Sequence, residues 1–194
     1  MTRERNPSTH AMGDAEISLR PMTADDKAGL LSFAKALPPH DLLFLTRDIT
    51  KRGVVDAWIA QTDSGAIETL VAEQDGRIVG CSALITDPLS WSPHLGELRV
   101  LVDPSVRKHG LGRVLIEQCF AKALDKGLKK LTAQMTVDQK GAITLFEELG
   151  FRGEALLRDH VRDADEALHD IVILACDVEQ AAGRLEAYGM AESS

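Results

Sequence analysis

The sequence contains no apolar run approaching the roughly 18 to 20 residues of a membrane span, and its N-terminus lacks the basic-then-apolar pattern of a secretory signal. The expectation is a cytoplasmic protein without a membrane partner. Cysteine is sparse: Cys81, Cys119 and Cys176 lie far apart, each in an apolar stretch, which suits reduced, buried thiols better than disulfides or zinc ligands. The six histidines form no His-x-x-x-His or His-Glu-x-x-His arrangement, so no metal site is expected. Basic residues are outnumbered, 22 Lys and Arg against 30 Asp and Glu, and the net charge of −8 argues against a nucleic-acid partner held through its phosphates. That balance is compatible with a cationic amine ligand and equally with plain solubility. Repeats, low-complexity tracts and interdomain linkers are also lacking. With 194 residues, 44% of them hydrophobic, the chain is long enough for one domain with a substantial core.

The stretch from Gly96 to Lys126 organises the rest. Glu97 to Val102 is rich in Leu and Val and is stopped by Asp103-Pro104, where proline removes a ladder donor and restricts the preceding residue; this reads as a strand ending in a turn. Arg107-Lys108-His109-Gly110-Leu111-Gly112 then fits Arg-x-x-Gly-x-Gly, with glycines where the chain bends tightly and lets a ligand approach its backbone. From Leu111 onward, Leu111, Leu115, Cys119 and Ala123 recur every fourth position, so a helix begins at the glycines. Its first N–H groups and the positive end of its dipole suit a phosphate or pyrophosphate, with Arg107 and Lys108 adding charge. The alternative is a strand-to-helix turn that binds nothing. A dinucleotide fold wants glycine three residues after Gly112, where Leu115 stands, and no P-loop run occurs, so a different phosphate-bearing ligand is favoured.

These residues resemble motif A of the GNAT superfamily of acetyl-CoA-dependent N-acetyltransferases. The likeness continues through the alternating strand Lys130 to Met135 and the segment Gly141 to Phe151, which is similar to the family's short helix closing on Leu-Gly-Phe. The resemblance implies an α/β (α+β) domain whose mixed, mostly antiparallel central sheet is flanked by helices. It further implies acetyl-CoA as co-substrate, held by Leu101, Val102 and the loop Arg107, Lys108, His109, Gly110, Leu111, Gly112 and Arg113. Gln139, where the family often has Asn, and Phe146, where it often has a Tyr that protonates the leaving thiolate, complete the coenzyme contacts. The only tyrosine, Tyr188, is in the tail and has no assignable role, which leaves His160 or solvent to supply that proton.

The rest of the chain fits around this unit. Residues 1–15 are polar and aperiodic and read as a mobile leader. Residues 16–177 form the acetyltransferase-like domain, and 178–194 a C-terminal helix and tail. Glu16 to Arg20 is a first strand. A helix capped by Thr23 runs to Pro38-Pro39, and a second helical stretch holds Val54, Val55, Trp58 and Ile59. Ile67 to Glu73 and Ile78 to Thr86 form a hairpin through Asp75-Gly76. Glu154 to Arg162 and Asp170 to Asp177 are two more strands. Pairing of two copies through the last strands or the terminal helix, giving a homodimer, is a further expectation.

Direct acetyl transfer to a small-molecule amine or a protein amino group poses a protonation problem. A lysine-like ammonium, reference pKa about 10.4, must lose a proton at pH 7 at roughly 4.6 kcal/mol, whereas protonating a thiolate of pKa about 8.5 involves only around 2. A base therefore matters more than an acid. Glu97 is the candidate base, directly or through water; on a strand it also shares a face with Arg99, so a plain ion pair is the alternative. The Val102 N–H is the candidate for polarising the thioester carbonyl, provided the strand splays there. Trp91, His94, Asp41 and Trp58 are placed at the acceptor entrance. A different class of function, a coenzyme A-binding sensor that has lost its chemistry, stays open, as does transfer of a longer acyl group.

Overall fold

The computed structural model describes residues 8–12, 15–181 and 183. Eight strands form one sheet in the order β1-β2-β3-β4-β5-β6-β8-β7. They are β1 (Ser8–Met12), β2 (Ala15–Pro21), β3 (Ile67–Gln74), β4 (Arg77–Thr86), β5 (Leu95–Val102), β6 (Lys130–Thr136), β7 (Arg152–Arg162) and β8 (Leu168–Asp177). The helices are α1 (Lys27–Ala36), α2 (Arg52–Asp63), α3 (Leu111–Asp125) and α4 (Lys140–Glu148), with a 3-10 turn at Pro39–Leu42 between α1 and α2. All pairings are antiparallel except β5 with β6, so the mixed, mostly antiparallel sheet expected from the sequence is the one observed.

The N-terminal stretch departs from expectation. Ser8–Met12, read as part of a mobile leader, pairs with β2 from Ser8 opposite Leu19 to Met12 opposite Ala15. Side-chain periodicity carried no trace of this, because an added edge strand is held by backbone groups that β2 would otherwise leave unpaired. At the other end, residues 178–181 are helical and bury Val178 and Ala181. Tyr188 and the rest of the tail, apart from residue 183, lie outside the described residues.

Two apolar layers flank the sheet. Leu84, Leu98, Leu131, Ala133 and Met135 face α3 and α4, meeting Ile116, Phe120 and Phe146. Val71, Cys81 and Leu101 face α1 and α2, meeting Leu30, Phe33, Val55 and Ile59. The alternation along β5 and β6 therefore assigns faces: Leu98, Leu131, Ala133 and Met135 to one side, Glu97, Arg99, Leu101, Thr132, Gln134 and Thr136 to the other. The hairpin turn at Asp75 and Gly76 has φ of 50° and 73°, the left-handed pair that Asp-Gly predicts. All three cysteines are free and buried; burial pushes the thiols of Cys81 and Cys176 up to about 12 and that of Cys119 up to about 11, so they stay protonated.

The start of α1 is fixed by a buried carboxylate. Asp26 accepts from the Thr23 N–H at 2.7 Å and from two Arg20 nitrogens at 2.8 and 2.6 Å, and Arg20 also reaches Glu73. Burial opposes ionisation of Asp26, but the bonds from Arg20 and Thr23 outweigh it and hold its pKa below the usual value. A depressed folded-state pKa contributes stability that is present above the unfolded value and lost as pH falls through the folded one. Asp26→Asn is therefore expected to destabilise the protein by about 2 kcal/mol at pH 7, with the gap to wild type closing as the pH drops below about 4. Urea denaturation at both pH values measures this.

Candidate active site

β5 and β6 pair only at Leu95 with Lys130, Gly96 with Leu131 and Glu97 with Thr132; beyond those residues the two strands part. On its other edge β5 stays paired with β4 from Thr86 opposite Gly96 to Gly80 opposite Val102, and the Asp103 N–H continues to Val79. Peptide groups alternate in direction along a strand, so those of Leu98, Val100 and Val102 face the widening gap. The splay on which the role of Val102 depended is present, and its N–H points into it.

The gap opens into a cleft of about 690 Å³ that passes through the sheet. On the α3 and α4 side it is lined by Gly110, Leu111, Gly112, Arg113, Leu145 and Phe146, and on the α1 and α2 side by His40, Asp41 and Phe44. Gly110 takes φ of 90° and caps α3, and Lys108 is also left-handed at φ 67°. The first intrahelical bond runs from Val114 N–H to Gly110 carbonyl at 3.1 Å, which leaves the amides of Leu111, Gly112 and Arg113 without an intrahelical acceptor. A Cβ on Gly112 would sit 3.2 Å from Leu145 Cδ2, so the glycine lets α4 close against the first turn of α3. Three amides with no acceptor among the described residues, at the positive end of a 15-residue helix and with Lys108 exposed beside them, are an arrangement that favours an anion.

Several predicted cradle residues do something else as well. Arg107 donates from Nε and Nη2 to the Val102 carbonyl at 3.0 and 2.9 Å and pairs with Asp41, pinning the loop after α1 to the end of β5. Arg113 pairs with Glu148 on α4. His109 is exposed and does not line the cleft. The Gln139 side-chain oxygen accepts from the Thr136 N–H at 3.2 Å, tying the start of α4 to the end of β6. Phe146 is buried against Phe151 with ring centroids 4.9 Å apart, so the position read as lacking a hydroxyl does face the cleft with an apolar ring.

Glu97 is engaged by Arg99, whose Nε lies 2.7 Å from its Oε1, both side chains being largely covered. This is the ion pair weighed as the alternative, and Glu97 lines neither the cleft nor the second cavity described next. That second cavity, of about 800 Å³, runs along β4 and β5 on the α1 and α2 side and is lined by Trp58, Arg47, Ile85, Arg99 and Leu89 among others; it meets the cleft at Leu101, which lines both. Trp58 donates to Thr69 Oγ1 at 3.0 Å, so its ring is fixed as a wall of that cavity. Of the other acceptor candidates, Asp41 belongs to the cleft. Trp91 is fully exposed on the β4–β5 loop, and His94 is exposed with its carbonyl taking the Lys129 and Lys130 N–H groups; neither lines the cleft or the second cavity. The β4–β5 loop lies at the opposite end of β5 from the cleft, and it is Pro88, Leu89 and Pro93 of that loop that line the second cavity. His160 is likewise exposed, on the edge strand β7.

Sequence reasoning missed His40 and Asp138. His40 Nε2 lies 2.8 Å from Asp138 Oδ2 and 3.3 Å from Thr136 Oγ1, so the 3-10 turn after α1 grips the end of β6 with His40 and the end of β5 with Asp41. No motif marks them, because the two residues are 98 positions apart, 138 less 40.

The model of the Acetyltransferase (GNAT) family matches residues 39–151, more than half of the chain, and the protein belongs to that family. Among curated proteins, it is 30% identical over 79 residues to [Ribosomal protein bS18]-alanine N-acetyltransferase of Escherichia coli, covering 41% of this chain and 53% of that protein. It is 30% identical over 145 residues to mycothiol acetyltransferase of Kytococcus sedentarius, covering 72% and 47%. The chain thus spans about half the length of these curated relatives. Solved structures share its fold. A ribosomal-protein-alanine N-acetyltransferase from Brucella melitensis superposes with a TM-score of 0.72 at 21% identity over 82% of this chain and 98% of that one. The acetyltransferase yncA from Salmonella typhimurium, solved with acetyl-CoA, gives 0.71 at 19% identity over 84% and 94%.

Proposed function

We propose that the protein is an N-acetyltransferase that uses acetyl-CoA to acetylate a primary amine by direct attack on the thioester. The observation that carries this reading is the gap between β5 and β6. It joins a phosphate cradle on one face of the sheet to an open approach on the other, with the Val102 N–H between them. The cradle residues fix the diphosphate, Val102 donates to the oxygen on which negative charge develops, and the acceptor nitrogen enters from the α1 and α2 side. Family membership and the acetyltransferase relatives support the same chemistry. The acceptor named for one of those relatives, an alanine of ribosomal protein bS18, makes a peptide with an N-terminal alanine the first amine to try.

Calorimetric titration with coenzyme A, followed by thiol release from acetyl-CoA with an alanine-terminated peptide, spermidine and an amino sugar, tests the reading. Binding with steady release for at least one amine is expected. Binding without release for any amine would favour the sensor, a reading supported by the apolar ring of Phe146 where an acid is often found. No heat with coenzyme A removes both.

The finer assignment of Glu97 as base has the Arg99 ion pair against it, since the guanidinium occupies the carboxylate oxygen that would accept the proton. Glu97→Gln is accordingly expected to lower kcat by less than about tenfold, through loss of the hold on Arg99. A fall of a thousandfold or more, in the upper range for removing a general base, would return that role to Glu97.

A further inference from the structure

An acceptor that arrives as an ammonium ion must give up a proton before its nitrogen can attack, and Glu97, held by Arg99 and outside the lining of the cleft, is not placed to take it. Four facts single out another group. His40 lines the cleft, on the face opposite the phosphate cradle. Its Nε2 is held by Asp138 and Thr136, while Nδ1 has no hydrogen-bond partner among the described residues. The ring is about one-third exposed, so it is both fixed and reachable. It sits against Thr136, which belongs to the same face of β6 as Gln134, and Gln134 lines the part of the gap nearest the last paired residues. Histidine is the side chain whose ordinary titration lies near neutrality, and an imidazole oriented by a carboxylate is a recurrent general base.

We propose that His40 is the catalytic base that takes the proton from the acceptor ammonium, with Asp138 as the residue that positions it. This rests on the acetyltransferase reading above. In the balanced step, one N–H proton of the ammonium passes to Nδ1 of neutral His40, and the freed lone pair attacks the thioester carbonyl carbon. The C–N bond forms, the C–S bond breaks with its electron pair going to sulfur, and a second proton from the same nitrogen neutralises the thiolate. His40 then releases its proton to solvent.

The charged and titratable groups around the ring come from four elements. Asp138 lies at the β6–α4 junction, and burial opposes its ionisation less than the bonds from Thr136 and His40 favour it, so it stays ionised. Asp41, the next residue in the same turn, is neutralised by Arg107 from the loop before α3. His169 on β8 meets the His40 ring edge to face at 5.1 Å, and it is itself backed by Asp163 at 2.7 Å.

The test uses the full chain, acetyl-CoA, and an alanine-terminated peptide and spermidine as acceptors. His40→Ala is expected to lower kcat/KM by about a hundredfold, to abolish the acidic limb of the pH profile, and to regain at least severalfold activity on adding free imidazole. Its affinity for coenzyme A should stay within threefold of wild type, which shows that the cleft is intact. Asp138→Asn is expected to move the acidic limb to lower pH, because the imidazolium loses a favourable charge. The His40 ring signal in an NMR titration should move in the same direction, and this readout needs no turnover. The inference is overturned if His40→Ala keeps the acidic limb and loses less than threefold, or if Asp138→Asn leaves the His40 titration where it was. Coenzyme binding by wild type without acetylation of either amine or of the amino sugar would instead overturn the acetyltransferase reading, and this inference with it.

Discussion

Replacing Gly112 with glutamate is expected to raise the dissociation constant for coenzyme A at least a hundredfold, about 2.7 kcal/mol. The backbone at this position is half-covered, and a Cβ would project toward Leu145 Cδ2 at 3.2 Å and Val102 Cγ2 at 3.9 Å, into the cleft between α3 and α4. A glutamate side chain built there starts in the first turn of α3, within reach of the space in front of its first amides. Its carboxylate would then sit where the helix dipole favours an anion, taking the place of the diphosphate and repelling it. Calorimetry with coenzyme A measures the effect, and a melting temperature within a few degrees of wild type separates it from unfolding. An affinity within threefold of wild type would show that α3 does not hold the coenzyme.

The second large effect concerns stability. Gly96 stands where β5 still pairs with both neighbours, and a Cβ there would lie 2.8 Å from Leu128 Cδ1, 2.9 Å from Leu84 Cδ1 and 3.0 Å from Leu131 Cδ2. All three leucines are buried in the layer against α3, with at most 5% exposure, so no methyl can swing into open space. Gly96→Val therefore overfills a packed core from three directions at once. Overpacking of this kind typically destabilises by about 1 to 3 kcal/mol, and the upper end is expected here. For a chain of this size that is a fall in melting temperature of about 6 to 12 °C. Gly53, with nothing within 4 Å of its would-be Cβ, is the control, and Gly53→Ala should leave the melting temperature unchanged or slightly higher. A Gly96→Val protein that melts like wild type would mean that β5 shifts away from α3 at no cost.

How far the sequence reached depended on the range of the interaction. The strand ending at Asp103-Pro104, the left-handed Gly110 and the four-residue apolar repeat of α3 are local patterns, and they appear where the spacing placed them. The Asp75-Gly76 hairpin is legible for the same reason. β1 was not, because its bonds are made by backbone groups whose partners lie on another strand. The acceptor side depends on contacts between distant parts of the chain. Trp91 and His94 are exposed on the β4–β5 loop, away from the cleft at the other end of β5, while His40 and Asp138 lie in stretches with no pattern of their own.

The sequence by itself determined the order of elements from β2 onward, the glycine-opened start of α3 and the lack of a hydroxyl at Phe146, since each depends on residues within a few positions of one another. Tertiary structure alone decided where β5 leaves β6, that Glu97 is bound by Arg99, and that His40 meets Asp138 across the opening. Those outcomes depend on which side of the sheet each strand presents and on how the turn after α1 folds over it, and chain spacing carries no record of a distance closed through space.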